Sequence, residues 1–219
     1  MIRQKLRIRF SKQGDLRLVS HRDLARAVER LFRRAELPLA MTEGFHPHPK
    51  ISFVSALALG IEGKNEVMEV ILSHPQDPDS VFHKLQDMAP EGLIIRSVEQ
   101  IAENQPKTKL DSVAYEITVP SERQATVKER MEAFLHSDSC VVENSKRNEP
   151  IDIRHDVVDL TLVDSLLKMR LRFSRTASAG PRDVLKVLGL DSLEQEGYWL
   201  ARTDVRLAGS VSSNAKEYV

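Results

Sequence analysis

Residues 5–10 read KLRIRF, and Lys5, Arg7 and Arg9 alternate strictly with Leu6, Ile8 and Phe10. A period of two is the mark of a strand with one apolar and one polar face, so this segment predicts a half-buried strand whose wet face is cationic. The residues after it make it the first element of a repeating pattern. Ser20 precedes HRDLARAVERLFRRA, where Leu24, Val28, Leu31 and Ala35 recur at helical spacing and Ser20 with Asp23 supplies an N-terminal cap. On the other side of that helix Arg22, Arg26, Arg30 and Arg33 follow at intervals of four, four and three, which stacks them along one stripe. Pro38 marks its end.

Residues 44–50, GFHPHPK, are extended, because each proline removes a ladder donor and disfavours helix before it. They run into ISFVSALAL, a turn at GIEGKN and a returning strand EVMEVIL. PDSVFHKLQDMA repeats apolar positions at Val81, Leu85 and Met88 as a short helix, and LIIRSVEQI closes as a strand. The order β-α-β-β-α-β in about 100 residues is that of a split βαβ, or ferredoxin-like, unit. Residues 103–112 are polar, contain Pro106 and lack periodicity, as a linker does.

The pattern then restarts. SVAYEITV alternates, SERQATVKERMEAFLH opens with a capping box at Ser121 and Gln124, and CVVEN and PIDIR are short extended pieces. LLKMRLRF alternates Lys168, Arg170 and Arg172 with apolar residues, GPRDVLKVLGL is a helix with Pro181 in its first turn, and YWLARTDVRL is the last strand. The expected fold is therefore α+β, two tandem ferredoxin-like units over residues 1–102 and 113–208, with a disordered tail at 209–219.

Several function classes are excluded. No apolar run approaches the ~18 residues that cross a bilayer, and the N-terminal stretch lacks the apolar core and cleavage site of a secretory signal. Cys140 is the only cysteine, which leaves no disulfide and no cysteine zinc site and fits a cytoplasmic protein. No Walker loop, GxGxxG or cysteine cluster motif occurs, so no nucleotide or iron–sulfur cofactor is expected. His46 and His48, two apart, could share a cation, but the remaining ligands are missing and no metal is expected.

The net charge of zero conceals an asymmetry: residues 1–50 hold 12 Lys and Arg against 5 Asp and Glu, and the rest of the chain 20 against 27. A local cationic excess points to a polyanion. The expected nucleic-acid contacts are Lys5, Arg7, Arg9, Arg22, Arg26, Arg30, His48 and Lys50, with Lys168, Arg170, Arg172 and Arg182 as a second set. Imidazoles and Phe45 would stack on bases and Lys50 would meet phosphate. The competing reading of GFHPHPK is structural, with Phe45 in a small core and the prolines protecting a sheet edge. A third is catalytic: His21 and His48 as the acid and base of a metal-independent endoribonuclease.

The stretch LRIRFSKQGDLRLVSHRDLARAVERLFRRAELPLAMTEGFHPHPKISFVSALALG resembles the bacterial radical-SAM-linked domain, a family of unknown function. The likeness is specific over residues 5–70, where SHRDL, the arginine-rich helix and GFHPHPKISF fall in order, and continues through IDIR at 151–154 and GPRDVLKVLG at 180–189. The family more often has an amide at the position of His46 and an apolar residue at that of Arg22, which shifts weight to His48, Pro49 and Lys50. The resemblance implies a separately encoded radical SAM protein as partner. The tandem layout is also similar to the CRISPR repeat-RNA-processing endoribonucleases, as a fold analogy. The expected role is an RNA-binding or substrate-presenting accessory protein, with an endoribonuclease or a protein–protein adaptor as alternatives.

Overall fold

The computed structural model describes residues 3–143, 150–173 and 179–209. It is α+β and divides into two compact units, one comprising the described residues up to Lys109 together with those from Leu207, the other Leu110–Arg206.

The first unit runs β1 (Gln4–Lys12), α1 (His21–Arg34), β2 (Ile51–Phe53), β3 (Glu62–Leu72), α2 (Pro78–Met88) and β4 (Leu93–Ile101). Its strands lie in the order β4-β1-β3-β2, every neighbouring pair antiparallel. Leu6, Ile8 and Phe10 of β1 are buried with Met68, Val70 and Leu72 of β3 in one cluster. Leu24, Val28, Leu31 and Phe32 of α1 and Val81, Phe82 and Leu85 of α2 complete it, so both helices cover the same sheet face. The Ser20 hydroxyl accepts a hydrogen bond from the Asp23 amide at 3.2 Å, and Asp77 caps α2 through the Ser80 amide at 3.0 Å.

Two expectations in this unit are corrected. The strand ISFVSALAL ends at Phe53, and the turn lies at 54–61, ahead of GKN, which belongs to β3. Leu57 and Ile61 are buried and the Gly60 amide bonds to the Arg17 carbonyl at 3.0 Å, so apolar burial holds this stretch as a packed loop despite its strand-like composition. β5 begins at Leu110, so the last three residues of the expected linker 103–112 are strand.

Gly92 opens β4 with φ +81°, and a Cβ there would stand 2.6 Å from the Gln13 carbonyl oxygen, whose own amide bonds to the Gly92 carbonyl at 2.8 Å. The obstacle is main chain, which cannot swing aside. Gly92→Ala is expected to cost about 2 kcal/mol or more, read by urea denaturation, from the left-handed backbone and the contact together.

The second unit runs β5 (Leu110–Thr118), α3 (Ser121–His136), β6 (Val141–Glu143), β7 (Pro150–Asp152), β8 (Val157–Val163), β9 (Leu166–Arg172), α4 (Pro181–Val187) and β10 (Ala201–Leu207). Its sheet order is β10-β5-β9-β8, and among the described residues β6 and β7 pair only with each other. Val141–Glu143 of CVVEN and Pro150–Asp152 of PIDIR therefore pair as a separate short antiparallel ladder. The strand beside β9 is VVDLTLV, joined to it through Asp164 (φ 49°) and Ser165 (φ 66°), the two positive φ values of a tight I′-type hairpin turn. The expected capping box at Ser121 is not made: Pro120 holds the cap position, and the Gln124 side chain donates instead to the Val119 carbonyl at 3.2 Å. Of the expected tail, residues from 210 onward lie outside the described residues. No helix among the described residues is long and apolar enough to cross a membrane.

Candidate functional site

The cations nominated from the sequence are sorted by the structure into different environments. Lys5, Arg7 and Arg9 do lie on the β1 face opposite the helices, but that face is not an open cationic surface. Arg7 is 9% exposed and Glu69 4%. Arg7 has Glu69 of β3 and Glu99 of β4 as its cross-strand partners, and its guanidinium meets Glu69 at 3.0 Å and Glu99 at 3.4 Å. Lys5 reaches Glu69 at 2.9 Å. Thr108 accepts from Arg7 at 2.9 Å and donates to Glu69, bringing the segment after β4 against this face. Burial pushes the Glu69 carboxyl upward, but hydrogen bonds from Thr108, Lys5 and Arg7 and the Lys5 charge outweigh it and hold the carboxyl below the ordinary carboxylate range. The outward-facing contact surface expected from Lys5 and Arg7 is thus replaced by a buried charge network, because their own neighbouring strands carry the counter-ions.

The arginines of α1 behave differently. Arg22, Arg26, Arg30 and Arg33 are all exposed, held on the outer side by the burial of Leu24, Val28, Leu31 and Phe32. Arg26 lies 3.4 Å from Asp23 and Arg33 pairs with Glu29 one turn back. Such exposed pairs contribute at most about 1 kcal/mol and exchange readily for another anion. Arg22 and Arg30 have no carboxylate partner among the described residues.

GFHPHPK forms the outer part of a finger. Met41 and Pro49 make an isolated bridge, the Thr42 amide donates to the His48 carbonyl at 2.8 Å, and the His48 amide donates to the Thr42 hydroxyl at 2.9 Å. At its base the Lys50 amide donates to the Ala40 carbonyl and the Ala40 amide to the Ile71 carbonyl, each at 2.8 Å, which ties the finger to β3. Gly44 takes φ +120° at the tip, a conformation reserved for glycine. Phe45 is fully exposed (102%), and His46, Pro47 and His48 are exposed beside it. Phe45 therefore belongs to no core. Thr42 was not singled out in the sequence, since a lone threonine carries no signal of the amide it will cap.

His21 heads α1 and packs edge-on against Phe53 at the far end of β2, with ring centroids 5.0 Å apart. His48 belongs to the finger that precedes the near end of β2. The two imidazoles thus take up separate structural roles, one against an aromatic ring and one on the finger. No group of three or more His, Cys, Asp or Glu side chains among the described residues could hold a metal ion.

In the second unit Lys168 and Arg172 are exposed on β9, while Arg170 between them lies 3.4 Å from Asp204. Arg182 is gripped in bidentate fashion by Glu194, at 2.6 and 2.9 Å, and that carboxylate raises its affinity for the proton. Of this second set, Lys168 and Arg172 have no carboxylate partner among the described residues.

No curated protein matches the chain. Among solved structures, an unknown protein from Galdieria sulphuraria is similar at 12% identity, covering 94% of this chain and 99% of that one with a TM-score of 0.28. A putative glycine cleavage system transcriptional repressor is similar at 9% identity, covering 96% and 100%, with a TM-score of 0.25. The sequence profile described as "Uncharacterized protein conserved in bacteria (DUF2344)" matches residues 5–186, and with most of its length inside that match the chain belongs to the DUF2344 family.

Proposed function

We propose that this chain is a non-catalytic accessory protein that binds RNA, or presents a substrate, to a separately encoded radical SAM enzyme, on a framework of two tandem ferredoxin-like units. The observation that carries the reading is the finger. A phenyl ring held wholly in water, on a loop whose backbone is braced at Thr42, His48 and Lys50, loses little conformational entropy on docking and offers a π face to a base. The α1 stripe adds the cations a phosphate backbone requires, and Arg22 and Arg30 are free to supply them. The role does not draw on Lys5 and Arg7, whose charges are already matched.

Filter binding of the whole chain to total RNA over a range of salt concentrations tests it. Affinity is expected to fall as salt rises. Joint replacement of Arg22, Arg26 and Arg30 by alanine should flatten the log–log salt slope by about 2, from roughly 0.7 per lost single-strand phosphate contact. Phe45→Ala should weaken binding by about 1–3 kcal/mol if the ring stacks on a base. Binding that is absent, or indifferent to salt, rejects the RNA reading. The same bare phenyl ring favours a protein–protein adaptor as the second reading. Its mark is co-purification of a partner protein that survives ribonuclease and is lost in Phe45→Ala.

A further inference from the structure

The arginines of α1 and the ring of Phe45 offer a nucleic acid two different things. Arg22, Arg26 and Arg30 are exposed and four positions apart, which sets them about 6 Å apart along the helix axis. Guanidinium groups so placed meet phosphates, and a phosphate contact does not read whether the bases behind it are paired. Charge density does differ between the two forms, with salt slopes of about 0.9 per contact for a duplex and about 0.7 for a single strand. At ~0.1 M salt, three such contacts on their own therefore favour the duplex by about fourfold. Phe45 works the other way. It is 102% exposed on the outer part of the finger, beside Gly44 at φ +120°. A phenyl ring has no hydrogen-bonding group, so what it offers a base is its face. Inside a duplex both faces of every internal base are already stacked, and opening a step is costly. An unpaired base presents its face at little cost.

We infer that the finger makes this chain selective for unpaired RNA, with Phe45 stacked on a bare base while the α1 arginines hold the phosphates. The inference rests on the RNA reading above and adds to it the class of RNA. Magnitudes decide the sign of the selectivity. Stacking of one base on an aromatic ring is worth about 5- to 150-fold in affinity, which outweighs the fourfold pull of the arginines towards a duplex. The Thr42 and His48 hydrogen bonds fix the loop that carries the ring, so little of that gain is lost to ordering. One strand can reach both parts. Phe45 follows Arg34, the last residue of α1, by 11 positions, so the two lie within about 40 Å of each other. A strand of about 16 nucleotides exceeds that length even at the duplex rise.

The test is fluorescence anisotropy of the whole chain with two labelled probes at several salt concentrations. One probe is a mixed-sequence RNA strand of about 16 nucleotides without self-complementarity, and the other is the blunt duplex of that strand with its complement. Wild type is expected to bind the single strand about tenfold tighter than the duplex at ~0.1 M salt. In Phe45→Ala the ratio of the two affinities should fall about fivefold or more, through loss on the single strand alone, and Phe45→Trp should restore it. Joint replacement of Arg22, Arg26 and Arg30 by alanine should weaken both probes and leave the single strand preferred. Salt-dependent binding with no preference in wild type, or with a preference that Phe45→Ala retains, overturns the inference and leaves the RNA reading standing. The absence of salt-dependent binding to either probe overturns both.

Discussion

Glu69→Ala is expected to remove about 3–5 kcal/mol of stability, the scale on which breaking a buried ion pair is felt. Glu69 is 4% exposed and serves Lys5, Arg7 and Thr108 at once, so its loss strands two cations in a face that water barely reaches. Much of the cost is therefore the penalty of the partners left behind rather than the strength of the bonds removed. Two further measurements separate these. Replacing Lys5, Arg7 and Glu69 together by Met, Met and Leu should recover most of the loss in urea denaturation, because no charge then remains unmatched around position 69. The pH dependence should also change. Glu69 is held below the ordinary carboxylate range in the folded state, so its contribution is complete above the unfolded value and is lost as pH falls through the folded one. Glu69→Gln should remove that acid limb of the stability profile while the remainder of the titration persists.

The second large effect is a contrast between two phenylalanines thirteen positions apart. Phe32 is 0% exposed among Leu31, Val28 and the β1 side chains, and Phe32→Ala should cost about 3–5 kcal/mol through lost burial and the cavity left behind. Phe45 touches no core, and Phe45→Ala should leave the urea midpoint within about 0.5 kcal/mol of wild type. The pair has a functional meaning. α1 orients its arginines only through its apolar side, so loss of Phe32 should loosen the stripe and the fold together, whereas loss of Phe45 should act on binding alone. Parallel unfolding curves and RNA titrations on the two variants check this.

The contrast shows where the residues themselves were informative. Helical spacing in HRDLARAVERLFRR told which side of α1 is buried, because both sides of a helix are written in the same few turns. The finger was legible for a similar local reason: prolines at 47 and 49 forbid helix and regular ladder whatever surrounds them. The reading of Lys5 and Arg7 as outward-facing cations failed at a different level. Alternation states which side chains share a face, and it was right that these two do. It does not state what covers the face, and Glu69, Glu99 and Thr108 stand 62, 92 and 101 positions away from Arg7. A hint existed in EVMEVIL, where Glu69 interrupts an otherwise apolar run at a point that only a cation could make tolerable. β8 was missed because Asp164 and Ser165 turn with two positive φ values without the Asn-Gly or Asp-Gly pair that usually announces such a turn.

One consequence concerns biosynthesis. Strands β1 to β4 and helices α1 and α2 are encoded before residue 102, whereas β10 ends at Leu207, where the chain returns to the first unit. At the usual speed of translation the ribosome delivers a finished four-stranded sheet roughly 5–20 s before its sibling can close. The nascent chain thus spends that interval with β1 to β4 made and the residues from Leu207 that complete the first unit still to come. A folding defect confined to the early half, such as one at Glu69, should therefore register on polysomes before release.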